Sequence, residues 1–186
     1  LVTRPVPARG DIGAIDLSLG GYGGRKMHSY YGRGGEHFGV LFEIAQIGSD
    51  GFKELDGGGE TGYDKSEYMI KLRVNNDLAA RVHHRLELKL GYSTETSYET
   101  YLGLSDEDFK KTPYRRYAAS QLGDMTWTRS QAKLSYALVV GDDVEFRLTG
   151  YRHDFEREWT KLNGFGALAV AGGAKVALSD VLRDPT

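Results

Sequence analysis

The sequence predicts an all-β fold: an antiparallel meander of about seven strands belonging to a large transmembrane β-barrel. Three observations carry this. Apolar residues recur with a period of two, which a strand produces and a helix does not. The connections are short at one end of the strands and long at the other, as in outer-membrane barrels, with the turn after the first strand, at Gly23–Arg25, as the exception. Four aromatics, Tyr68, Tyr92, Trp127 and Trp159, fall at the long-loop end, the level that a membrane–water interface selects.

Taken in order, Leu1–Arg9 holds Pro5 and Pro7 and reads as an entry segment, because proline cannot donate to a sheet ladder. Residues 11–22 form a first strand, with Ile15, Leu17 and Leu19 on its apolar side. Gly20–Gly24 is a tight turn. Lys26–Gly32 is a second strand with poor alternation, followed by a turn over Arg33–Glu36. In the third, Phe38, Val40, Phe42 and Ile44 alternate with Gly39, Leu41, Glu43 and Ala45. A glycine-rich loop covers Ser49–Asp64. Tyr68, Ile70, Leu72 and Val74 mark the fourth strand, and Asn75–Asp77 is a turn cluster.

The fifth strand is the clearest. Leu86, Leu88, Leu90 and Tyr92 alternate with Arg85, Glu87, Lys89 and Gly91. A long polar connection then runs from Ser93 to Met125. Ala132, Leu134, Tyr136 and Leu138 define the sixth strand and Val144, Phe146 and Leu148 the seventh, which reaches about Trp159. Residues 163–186 read as a truncated loop, weakly helical near Lys175–Leu182. On a barrel, Leu86, Leu88, Leu90, Leu134 and Leu148 face lipid. Arg73, Lys71, Arg85, Glu87, Lys89, Lys133, Glu145 and Arg147 line a wet lumen.

Composition narrows the function. A net charge of −2 lacks the basic surplus of a nucleic-acid binder. With no cysteine, neither disulfide nor thiolate chemistry is available. No apolar run reaches the roughly 18–20 residues of a membrane helix, but barrel strands need only about 9–11. The chain starts at Leu1 and is expected to be a piece of a longer protein.

The motifs give little chemistry. Gly57, Gly59 and Gly62 match a dinucleotide fingerprint as a string, but a hairpin loop surrounds them where the mechanism needs a strand and a helix N-terminus. His83 and His84 point to opposite faces of a strand and cannot share a metal. Asp106–Asp108 lack the rest of an EF-hand, and Ser105 instead caps a short helical turn toward Phe109. No catalytic arrangement, cofactor or metal site is expected. Tyr114, Arg115, Arg116 and Tyr117 are the candidate ligand contacts: guanidinium forks match carboxylates and tyrosines add rigid contact area.

Four stretches carry a resemblance: Leu1-Val2-Thr3-Arg4-Pro5, Ser49-Asp50-Gly51-Phe52, Tyr101–Asp106 with Pro113–Tyr117, and Tyr151–Phe155. In these the chain resembles the N-terminal part of the barrel of TonB-dependent outer-membrane receptors, in the ferric-citrate and siderophore group. The resemblance implies that residues 1–10 end the plug and lead into the barrel, that 11–162 are barrel strands and loops, and that 163–186 belong to a further extracellular loop. It implies energy-coupled uptake of a ferric siderophore or other metal chelate across the outer membrane of a Gram-negative bacterium, rather than catalysis. TonB would act through a plug outside this chain. The alternatives are a soluble β-sandwich or lipocalin-like binding module and a passive porin.

Overall fold

The structure, a computed structural model, describes residues 4–77, 79–98, 100–141 and 144–162. Its strands are β1 (Gly10–Leu19), β2 (Arg25–Gly34), β3 (Phe38–Ser49), the short β4 (Glu54–Leu55), β5 (Tyr63–Asn75), β6 (Val82–Ser97), the short β7 (Arg115–Arg116), β8 (Asp124–Val140) and β9 (Val144–Thr160). The single α-helix among the described residues is α1 (Asp106–Lys111). Seven strands form one antiparallel sheet in the order β1-β2-β3-β5-β6-β8-β9, an all-β meander in which every neighbour in space is the next long strand in sequence. The sheet is open, with β1 and β9 at its edges. The expected truncated loop, 163–186, lies outside the described residues.

Three boundaries differ from expectation. β6 runs on to Ser97 and β8 starts at Asp124, so the long connection covers 98–123 only. β5 likewise begins at Tyr63, ahead of its first apolar alternation. In these extensions both faces carry Ser, Thr, Glu, Asp or Lys, so hydropathy has no period. Pairing persists there because the backbone ladder needs no apolar side chain.

The two faces differ sharply. Register joins Leu72, Leu88 and Leu134 in one row and Val74, Leu86, Tyr136 and Leu148 in the next. Ile15, Leu17, Leu19, Phe42 and Ile44 share that face, and Leu19 is 91% exposed. The other face carries Arg73, Glu87, Lys89, Lys133 and Arg147. Only Val6, Leu41 and Tyr117 are buried apolar side chains among the described residues. A single open layer of this kind has no core of its own.

The apolar band drifts across the sheet. Its last residue toward the long loops is Leu19 on β1, Met27 on β2, Ile44 on β3, Tyr68 on β5, Tyr92 on β6, Ala132 on β8 and Leu148 on β9. The register row of Leu19 passes through Arg25, Gly48, Asp64, Thr96 and Thr126 to Glu158, ten residues beyond Leu148. The opposite edge shifts equally: Ile15 is in the row of Asp154, ten residues from Val144. Ten residues along a strand are about 33 Å and six strand spacings about 29 Å, so the band runs about 40° from the strand direction, and the strands tilt about 50° from the normal to the band.

The segment before β1 lies against the charged face. Lys71 Nζ donates to the Arg4 carbonyl at 2.6 Å, and the Arg73 guanidinium donates to the Ala8 carbonyl at 3.3 Å. The Arg4 guanidinium stacks 3.5 Å from the Tyr30 ring. Gly39 and Gly34 make room: a side chain at either would collide with Val6 or with the Pro7 backbone.

Candidate functional site

At one end of the sheet lie the short connections 35–37, 76–81 and 141–143. At the other lie 20–24, 50–62 and 98–123. The last three form one assembly. β4 and β7 pair in parallel, Glu54 with Arg115 and Leu55 with Arg116, so two loops far apart in sequence share a ladder. The Glu54 and Asp56 amides extend it to the Tyr114 and Arg116 carbonyls, each at 2.8 Å. Edge-to-face ring contacts then link all three connections, Tyr22 to Phe52 at 6.1 Å and Phe52 to Tyr114 at 5.9 Å.

An ion-pair clasp locks this arrangement. Arg115 makes a forked contact with Asp56, Nε to Oδ1 at 2.9 Å and a terminal nitrogen to Oδ2 at 2.9 Å. Asp108 stands 3.8 Å away on its other side. The Asp56 carboxylate, through these hydrogen bonds, pushes the guanidinium above its already high ordinary pKa. Ser105 caps α1 as expected, its hydroxyl accepting from the Asp108 amide at 3.2 Å. The Tyr117 hydroxyl donates to the Asp108 carboxylate at 2.5 Å and accepts from the Ser105 amide.

The four candidate ligand contacts therefore separate. Tyr117 is 3% exposed and Arg115 is held by Asp56 and Asp108, so both serve the loop's own framework. Arg116 donates to the Pro113 and Arg115 carbonyls. Tyr114 alone presents an open ring, 52% exposed.

The five leucines expected on one face do share it: Leu86 and Leu148 meet through Tyr136, Leu88 pairs with Leu134, and Leu90 precedes Tyr92 on the same side. The aromatic row is corrected. Tyr68 and Tyr92 pair on the apolar face, but Trp127 pairs with Glu95 and Arg157, and Trp159 with Met125, on the charged face. Counting distance along the chain located their end of the sheet, but strand parity decides the face, and Trp127 is three residues from Ser130, the register partner of Tyr92. There Trp127 lies under Lys65 and Arg129, and Trp159 under Lys161.

Sequence reading missed a second feature. A cavity of about 350 Å³ lies beneath the loops, lined by Phe52, Lys53, Tyr63, Tyr98, Thr100 and Tyr101 among others. Its floor is the register row Ser49, Tyr63 and Ser97. Thr100 Oγ1 is buried beside it without a hydrogen-bond partner. Hydrogen bonding to Glu60 pushes the Tyr98 phenol above its usual value. Its lining is rich in aromatic rings, with one buried hydroxyl that has no partner. Comparison of the chain with protein-family models, curated proteins and solved structures finds no match.

Proposed function

We propose that this chain is a sector of the wall and outer loops of a transmembrane β-barrel receptor that takes up a ferric chelate across the outer membrane. The drifting apolar band carries the membrane part of this reading. A band that follows a bilayer must cross tilted strands obliquely, and spanning strands tilt by about 35–45°. A soluble sandwich has no reason to expose such a stripe on its outer face. On β6, where it is widest, the band runs from Val82 to Tyr92, about 33 Å along the strand and about 23 Å along the normal at a tilt near 45°, close to the roughly 25 Å apolar height of such barrels. On the edge strands β1 and β9 it narrows to Ile15–Leu19 and Val144–Leu148.

The cargo rests on the resemblance in 101–117 and 151–155 to siderophore receptors. Capture falls to Tyr114 and the aromatic cavity beneath the loops, while Arg115 and Tyr117 hold those loops together. Energy for uptake comes from TonB through a plug outside this chain.

Spin labels test the wall in the full-length protein. Single cysteines at Leu86, Leu88 and Leu90 are expected to meet lipid-dissolved oxygen, and those at Glu87 and Lys89 a water-soluble nickel complex. Equal accessibility at both sets would end the membrane assignment. For the cargo, cells lacking the protein should lose uptake of one radioiron chelate, and unchanged uptake of every chelate offered would refute that half.

A further inference from the structure

We propose that a second cavity, on the charged face between β3 and β9, binds a compact organic polyanion carrying at least two carboxylate or phosphate groups. This cavity measures about 930 Å³, within the usual range of about 300–1,000 Å³ for small-molecule sites. Lys71, Lys89 and Lys133 stand in one register row on adjacent strands. Like charges directly opposite one another repel, and this row places three within about 10 Å. Lys71 is 4% exposed and donates to the Arg4 carbonyl. Lys89 lines the cavity, Lys133 stands beside it on β8, and neither forms an ion pair among the described residues.

The carboxylates nearby are already engaged. Glu43 contacts His28 at 2.7 Å, Glu67 contacts Lys65 at 3.2 Å and Arg129 at 3.7 Å, and Glu87 contacts Arg85 at 3.0 Å. Arg4 and Arg129, both lining the cavity, each keep a buried Nε without an acceptor. Glu43 and Glu87 attract this row without making an ion pair to Lys89 or Lys133, and a ligand with two anionic groups supplies those contacts. Trp127 and Phe155, ring centroids 5.8 Å apart, form a wall for its apolar or planar part. The site is separate from the loop cavity and stands on the charged face whichever cargo the loops capture.

Lysine footprinting of the full-length protein in detergent tests this. Acetic anhydride labels free amines, and mass spectrometry reads each site. The probes are propane-1,2,3-tricarboxylate, inorganic pyrophosphate and, as a monoanion control, acetate. At least one polyanion is expected to slow labelling of Lys89 and Lys133 about fivefold or more, with Lys110 on α1 unchanged and acetate without effect. Which polyanion protects tells carboxylate from phosphate. Lys89→Met with Lys133→Met should weaken that probe's binding about tenfold or more, and Lys110→Met should not. Unprotected lysines with both polyanions would overturn the proposal. So would lysines unreactive before any probe is added, which would mean that protein carboxylates cover them. Because the footprint uses unaltered protein, a variant that misfolds leaves the test intact. A failed footprint with the spin-label pattern preserved would remove this site and leave the wall standing.

Discussion

Leu88 gives the sharpest test of the oblique band. On β6 it lies four residues from Tyr92 and six from Val82, about 13 and 20 Å along the strand. At a tilt near 45° these become depths of about 9 and 14 Å, so Leu88 sits close to the middle of the apolar layer. Arginine there should cost about 2–4 kcal/mol, and the same change at Tyr92, at the edge, about 0–1 kcal/mol. Gly150 supplies the decisive control. It shares a register row with Leu88 through Leu134, yet on β9 it falls beyond Leu148, the last apolar residue. Gly150→Arg should therefore cost about 0–1 kcal/mol despite identical register. Denaturant titration of the full-length protein in phospholipid vesicles reads these costs as midpoint shifts at constant slope. If Leu88→Arg is nearly neutral, the face does not meet lipid. If Leu88→Arg and Gly150→Arg cost the same, depth follows register and the tilted geometry is wrong.

The loop assembly yields a second test: Arg115→Met should speed amide exchange at 54–56 and 115–117 about fivefold, since a part-exposed clasp contributes about 1 kcal/mol. Unchanged exchange there would deny the clasp its role. Trp127 and Trp159 should be poorly quenched by doxyl-labelled lipid, judged from the fluorescence lost on Trp127→Phe and Trp159→Phe, and strong quenching would return them to the lipid face. The Tyr98 phenol has a folded pKa above its ordinary value of 10.0, so its contact with Glu60 contributes fully below that value and is lost as pH rises through the raised one. Glu60→Gln should bring one phenolate transition down in pH, and a superimposable absorbance titration would contradict the contact.

Much of the sheet was legible because its alternation is set by two unlike surroundings. Leu86, Leu88 and Leu90 against Glu87 and Lys89 could belong to nothing but a strand. Where both surroundings are polar, as at Ser93–Ser97 and Asp124–Thr126, that signal vanishes and the strands continue unseen. The tryptophans show a different gap. Their end of the sheet follows from hairpin counting, but their face follows only from a register fixed to the single residue. The clasp was hidden for a third reason: Asp56 and Arg115 are 59 positions apart and meet through loops, where no periodicity links sequence to space. Arg115 therefore read as a free ligand hook, although its fork is already filled.

The order in which this sheet can assemble follows from its meander. Each long strand needs only the one before it, so hairpins can be added one at a time without waiting for a distant partner. With three buried apolar side chains among the described residues, collapse of this sheet in water gives those additions little reward. On the proposed barrel, the favourable step comes when each new apolar stripe leaves water for lipid. Growth of the sheet and its entry into that environment are then a single event, and the β4–β7 ladder, which joins segments from two separate hairpins, can close only after β6 has taken its place.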